Sequence, residues 1–285
     1  MKKILFTISL SFFFVFAYGQ DDPNKSMSWL MFNENDEVRE AYVLVSDANL
    51  RDKPSIKATT IAQFPIATKV QILERTSDSL TLNGFRAPWF RVIANGKTGY
   101  LWSGILTAVA MTTQEDDPMG LIFLAGIASY NEKEYKVTIQ VRAAQNGKEI
   151  AKTEFQTVGD LGYELGLTLK NSYFDKVKQV LSIEMLYGAC DYSQGDYLVF
   201  FTEGGKLVRQ LDMVSASGAG SGYGTQNYIL PSDKGGINGH VLVTEDSAEE
   251  EVMKNGNPDY QIKNQKYKIT LYKWTGAKLE KVFSR

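Results

Sequence analysis

Asn49-Leu50-Arg51-Asp52-Lys53-Pro54-Ser55 sits at the densest point of a β-patterned stretch that runs from Tyr42 to Ala108. A strand signal at Tyr42 to Val45 leads into it, and Leu50 is expected to point inward where the chain enters a long loop. Pro54 and the Ser-Ile-Lys-Ala-Thr-Thr run behind it make that loop. Apolar residues resume at Ile61, Phe64, Val70, Ile72 and Leu73, and the stretch closes with Trp89-Phe90-Arg91-Val92, Asn95-Gly96-Lys97-Thr98-Gly99 and Tyr100-Leu101-Trp102. Asn and Gly both tolerate positive φ, so Asn95-Gly96 predicts a two-residue turn joining a strand at Phe90 to Ile93 with one at Thr98 to Trp102. Thr76 to Pro88 is longer than a tight connection needs and reads as an extended loop or an additional small hairpin.

This ordering resembles the bacterial SH3 domain, a small β-barrel often attached to cell-wall proteins. Ala48-Asn49-Leu50-Arg51 with Pro54 stands at the family's "LxVR" or "LNLR" segment, and Thr68 to Leu73 at the run ending in "vxvl". Trp89-Phe90-Arg91-Val92 stands at "WxkV" and Gly99-Tyr100-Leu101 at "GWV". Ser103-Gly104-Ile105-Leu106 is similar to the family's short terminal helical turn and last strand. Two positions depart from the pattern: Tyr100 replaces a Trp, and Pro65-Ile66-Ala67 replaces a "kG" turn. The resemblance covers under a quarter of the chain and implies a binding module.

The 285 residues suggest about two domains. A composition of 44% hydrophobic and 22% charged residues excludes a mostly disordered chain, and 31 basic against 33 acidic side chains gives no strong field favouring nucleic acid or anionic membrane. Met1-Lys2-Lys3, the apolar run Ile4 to Phe16 and Ala17-Tyr18-Gly19 read as a secretory signal peptide over residues 1–19, with an apolar run short for a membrane span. The mature protein is therefore expected to be exported, periplasmic or extracellular, with no stable membrane insertion after cleavage. The one cysteine, Cys190, excludes a disulfide scaffold. Residues 20–40 form a polar leader broken only by Trp29-Leu30-Met31-Phe32, read as a partly docked segment. The SH3-like domain takes 41–110. A linker at 111–118, marked by Gln114-Glu115-Asp116-Asp117-Pro118, separates it from an antiparallel β domain at 119–285.

In that second region three segments share one grammar of strand, glycine turn, Lys and strand: Tyr135 to Phe155 around Asn146-Gly147, Tyr197 to Met213 around Gly204-Gly205, and Tyr267 to Phe283 around Thr275-Gly276. Leu121 to Tyr130 predicts a strand apolar on both faces. Asp175 to Leu181 fits a short helix or a strand. Hairpins of this kind must bury one face against another sheet, so the expected fold is all-β: a small SH3-like barrel, then a sandwich or curled meander. The alternative is a small or partial β-propeller, for which the region is short because blades take about 40 to 50 residues each.

The candidate ligand surface comprises Asp47, Arg51, Trp89, Tyr100 and Trp102. Alternation places Tyr100 and Trp102 on one face of their strand, and large aromatics with a polar handle suit peptides and sugars. The resemblance implies that Trp89 and Tyr100 are divided between core and surface in favour of core, and that Trp102, where the family is often small or polar, is at the surface; Trp102 is then expected to border a peptide or glycan groove with Arg51 and Asp47. Ser217 to Gly224 is read as a flexible loop rather than a phosphate cradle, because no helix signal follows it. Cys190 and His240 are a numerically possible catalytic pair in the wrong context, read as a structural thiol and a loop imidazole. Glu245, Asp246, Glu249, Glu250 and Glu251 form an acidic run without calcium-loop spacing, read as solvated. No catalytic residue, metal or cofactor is assigned. The expected function is a non-catalytic binding protein of the cell envelope, its barrel engaging a peptidoglycan peptide or a protein segment; the alternative is a cell-wall or glycan hydrolase that the SH3-like domain targets.

Overall fold

The computed structural model describes residues 25–28, 40–113, 120–158, 164–171, 173–186, 194–218, 222–252 and 260–285. Residues 1–19, which were expected to be a signal peptide, Trp29 to Phe32 and Cys190 lie outside them. Among the described residues the only helical piece is a 3-10 turn at Ser103–Ile105; everything else regular is strand.

A four-residue strand from the leader, β1 (Lys25–Ser28), is followed by the seven strands of the barrel: β2 (Glu40–Val43), β3 (Ala48–Arg51), β4 (Thr60–Phe64), β5 (Lys69–Leu82), β6 (Phe85–Ala94), β7 (Lys97–Trp102) and β8 (Leu106–Thr107). Their order is β4-β3-β7-β6-β5-β2-β8, and period-two alternation sends Leu50, Val70, Phe90, Val92 and Leu101 into one core. Asn95 and Gly96 turn β6 into β7 with φ of 48° and 72°, as expected from their tolerance of the left-handed region. Thr76 to Pro88 proves to be hairpin rather than loop: β5 and β6 run beyond the barrel to a second Asn-Gly turn at Asn83 and Gly84, with φ of 55° and 82°.

The second region begins with a four-stranded sheet, β9 (Ala110–Thr112), β10 (Leu121–Asn131), β11 (Lys136–Gln145) and β12 (Lys148–Val158), in the order β12-β11-β10-β9. Residues 110–112 of the boundary region thus already belong to this sheet. The remaining strands are β13 (Glu164–Lys170), β14 (Val177–Leu186), β15 (Gln194–Thr202), β16 (Leu207–Gly218), β17 (Gly222–Ile229), β18 (His240–Val252), β19 (Tyr260–Trp274) and β20 (Leu279–Ser284). They form one sheet in sequence order, with β1 paired to β13 at its far end. The region at Asp175 to Leu181 is strand, starting at Val177.

Sandwich and curled meander are both present. Phe123, Val137, Ile139 and Val141 of the four-stranded sheet pack on Leu167, Leu181, Ile183, Val199 and Phe201 of the long sheet. On the other face of β14 and β15, Val180, Leu198 and Phe200 are covered by Val241, Val243 and Trp274, so the long sheet folds back over itself. All three hairpins of the shared grammar form, as β11–β12, β15–β16 and β19–β20.

The barrel is joined to the four-stranded sheet along β10. Leu44 and Ile66 meet Ile122, Leu124 and Ala144, while Phe85, Ala87, Trp89 and Trp102 meet Ile127 and Tyr130. Two hydrogen bonds tie the seam: Thr107 Oγ1 donates to Ala125 O at 2.6 Å, and Tyr130 N–H donates to Asn83 O at 2.9 Å.

Candidate functional site

The outer face of the barrel carries a row of side chains across four strands. Arg51 on β3 faces Tyr100 on β7, Tyr100 faces Arg91 on β6, and Arg91 faces Glu74 on β5. Cross-strand partners have Cβ atoms about 4.5–5.5 Å apart, so Tyr100 stands between Arg51 and Arg91 in the row, while its side chain also packs on the Trp89 and Trp102 cluster. Tyr100 is half-buried and Arg91 exposed. Arg91 Nη1 reaches Glu74 Oε2 only at 4.0 Å, with side-chain exposures of 46% and 60%, which leaves its charge largely in solvent.

Arg51 is held from the loop side. Its Nη1 donates to Ala58 O at 2.7 Å, and the loop it grips is closed at its base by Thr59 N–H donating to Asp52 Oδ1 at 3.1 Å. The Asn49-to-Ser55 segment thus sets the edge of the row. Gly99, next to Tyr100, lets β7 approach β3 closely: a Cβ there would stand 2.7 Å from Arg51 O and 2.8 Å from Leu50 Cγ.

The expected site residues separate into two groups. Arg51 and Tyr100 are brought together. Asp47, in the turn before β3 with φ 59°, is exposed but four residues from Arg51 along an extended strand, about 13 Å away. Trp89 and Trp102 are cross-strand partners, and both are buried, at 4% and 5% exposure. For Trp102 this corrects the expected surface position. Its Nε1 donates to Ala87 O at 3.0 Å and Leu80 O at 3.2 Å, its ring stacks on Phe85 at 5.5 Å, and Ile127 and Tyr130 close over the cluster. Trp89 is buried as expected, but in the seam; Phe90 occupies the barrel core beside it. Alternation put Tyr100 and Trp102 on one face correctly, and β10 then covers the Trp102 end of that face.

Other sequence candidates resolve locally. Ser217-Gly218 and Gly222-Tyr223 pair as the ends of the β16–β17 hairpin, and a Cβ on Gly222, with φ 116°, would lie 2.2 Å from Ala248 O of the adjoining strand. His240 Nδ1 stands 2.8 Å from Asn238 O; its possible partner Cys190 lies outside the described residues. The acidic run faces a basic strand: Lys268 donates to Glu245 at 2.6 Å, Asn264 to Glu249 at 2.6 Å, and Gln265 to Asp246 at 3.3 Å. Among the described residues no three His, Cys, Asp or Glu side chains are grouped so as to hold a metal ion.

One cluster had no sequence signal. Glu184 on β14 and Asp196 on β15 are cross-strand partners, and Ser182 Oγ donates to Asp196 Oδ1 at 2.6 Å. Burial pushes the Asp196 carboxyl up to about 6 against the opposing pull of its Ser182 hydrogen bond; the Glu184 charge raises it further, while Tyr228 and Lys170 pull it down. Burial likewise raises the Tyr228 hydroxyl well above its ordinary value, with the Asp196 charge as second cause. Only the strand register juxtaposes these acids.

Residues 46–107 match the family model of the bacterial SH3 domain, which spans the barrel from the turn before β3 to the end of β8. No curated protein and no solved structure matches the chain. The chain is therefore a bacterial SH3 domain-containing protein, similar to that family over the barrel alone, with its further antiparallel sheets outside the match.

Proposed function

We propose that this is a non-catalytic binding protein of the bacterial cell envelope, exported through the segment Met1 to Gly19, whose barrel engages a peptidoglycan stem peptide or a similar protein segment. A bacterial SH3 domain is in itself suggestive of a cell-wall-associated binding or targeting module. The observation that carries the finer reading is the Arg51–Tyr100–Arg91 row: a half-exposed aromatic between two cations suits a short peptide bearing carboxylates, which guanidinium groups grip in paired hydrogen bonds while the ring packs on apolar stem atoms. The long loop beside Arg51 supplies a wall to such a groove.

One observation favours a second reading, a wall or glycan hydrolase. Glu184 and Asp196 are adjacent carboxylates, one with its proton affinity raised, the pattern of an acid and nucleophile pair. Against it, Asp196 is hydrogen-bonded to Ser182, whose own side chain is fully buried, so the carboxylate is satisfied inside the fold.

Sedimentation with insoluble peptidoglycan tests both. The protein is expected in the pellet, and Tyr100→Ala and Arg91→Gln are each expected to weaken retention about tenfold with unchanged melting temperature. Equal retention by both variants, or no retention of the parent protein, rejects the wall-peptide reading. Release of soluble sugar or peptide during the incubation, lost in Asp196→Asn, replaces it with the hydrolase.

A further inference from the structure

We infer that the protein carries a second binding site, for an oxyanion, in a bulge of β5 at the base of the long β5–β6 hairpin. The bulge begins with Pro88. Proline has no N–H to give to the ladder, and there β5 leaves its partner: Arg75 pairs with Phe90, the next paired residue is Ser79 with Pro88, and Thr76, Ser77 and Asp78 swing out opposite Trp89. The excursion is fixed in place by Thr76 Oγ1, which donates to Trp89 O at 3.0 Å.

The hollow left behind measures about 370 Å³ and is lined by Arg75 and Arg86 with the hydroxyls of Thr76, Ser77 and Ser79 over an apolar floor at Ala87 and Pro88. Arg86 Nε donates to Ser79 Oγ at 2.6 Å, which sets the plane of its guanidinium and leaves its other N–H groups for a ligand. Arg91, Arg142 and Arg209 each have a carboxylate within 4.0 Å, at Glu74, Glu149 and Asp212. Among the described residues Arg75 and Arg86 have none, although Asp78 belongs to the same bulge, where it is exposed. Two guanidiniums without counter-ions, with the Ser77 and Ser79 hydroxyls as further donors beside them, are complementary to a carboxylate or phosphate, while the Thr76 hydroxyl already donates to Trp89 O. The volume lies at the lower end of the range for small-molecule sites, so it takes a group about the size of one residue or one sugar phosphate. The site shares no side chain with the Arg51–Tyr100–Arg91 row, and the two stand or fall separately.

The test follows the Arg75 and Arg86 Nε–Hε resonances of the full chain during separate titrations with inorganic phosphate and with N-acetylalanine. Saturable shifts of both resonances are expected with at least one probe, and the probe that saturates assigns the source as phosphate or carboxylate. Arg75→Gln and Arg86→Gln are each expected to weaken that binding at least tenfold. Linear, unsaturated shifts with both probes in the parent protein overturn the inference, as does equal affinity in the doubly substituted chain.

Discussion

Asp196 ties protonation to stability. Its carboxyl titrates at about 6 in the folded protein against 3.8 for an unperturbed aspartate, so the folded state holds the proton more tightly than the unfolded state. The resulting stabilisation is complete below pH 3.8 and is lost as pH rises through about 6. At roughly 1.4 kcal/mol per unit, the loss between pH 4 and pH 7 amounts to ~2 kcal/mol, because a part of the full shift is already lost at pH 4. Asp196→Asn keeps an acceptor for Ser182 and removes the titration, so its stability relative to the parent is expected to rise by that amount across the same interval. Urea midpoints of both proteins at pH 4, 5.5 and 7 measure it; parallel pH profiles would show that the Asp196 proton is not held this way.

The same turn chemistry serves different ends in different elements. Asn83-Gly84, Asn95-Gly96 and Asn146-Gly147 all have positive φ at both residues, as tight hairpins with right-handed strand twist require. A Cβ on Gly96 would meet nothing within 4 Å, whereas one on Gly84 would stand 1.8 Å from Tyr130 O, because that hairpin tip docks on β10 by backbone contact. Gly96→Ala is therefore expected to cost only the left-handed conformation, about 1–2 kcal/mol. Gly84→Ala must in addition lift the tip from β10 and break the Tyr130-to-Asn83 hydrogen bond, and is expected to cost at least about 1 kcal/mol more. Thermal melts of the two variants give the comparison; equal midpoints would mean that the hairpin tip contributes nothing to docking.

At the scale of the molecule, the barrel and the sheet behind it share buried surface. Phe85, Trp89, Trp102, Leu44 and Ile66 lie in buried clusters that residues of β10 and β11 complete. Full burial of one such side chain is worth about 1.5–3 kcal/mol, so several together couple the two regions strongly. Calorimetry of the full chain is expected to show one cooperative transition, and residues 40–112 alone are expected to melt at a lower temperature and to expose tryptophan to solvent quenchers. Two separate transitions, with the first matching the isolated segment, would show that the seam does not couple them.

Local chemistry made much of this legible in the chain. Apolar alternation, Asn-Gly turns and the spacing from Asn49 to Trp102 specify the barrel, and the strand-glycine-strand grammar specifies three later hairpins, because strand pairing across a short turn depends on neighbours in sequence. The same alternation puts Tyr100 on one face with Trp102, but the resemblance favours the core for Tyr100 and the sequence groups Arg51 with Trp102; it is the pairing of β3 with β7 that sets Arg51 beside Tyr100. Alternation left Asp175 to Leu181 open between helix and strand, since so short an apolar run satisfies both periods; its partners β13 and β15 decide for strand. Which face stays exposed is a different kind of question. Trp102 has a pattern suited to a binding surface and is buried because β10 packs over it, and Glu184 meets Asp196 only through the register of β14 on β15. Alternation assigns a side chain to a face; only tertiary packing determines whether that face meets water, a ligand or another sheet.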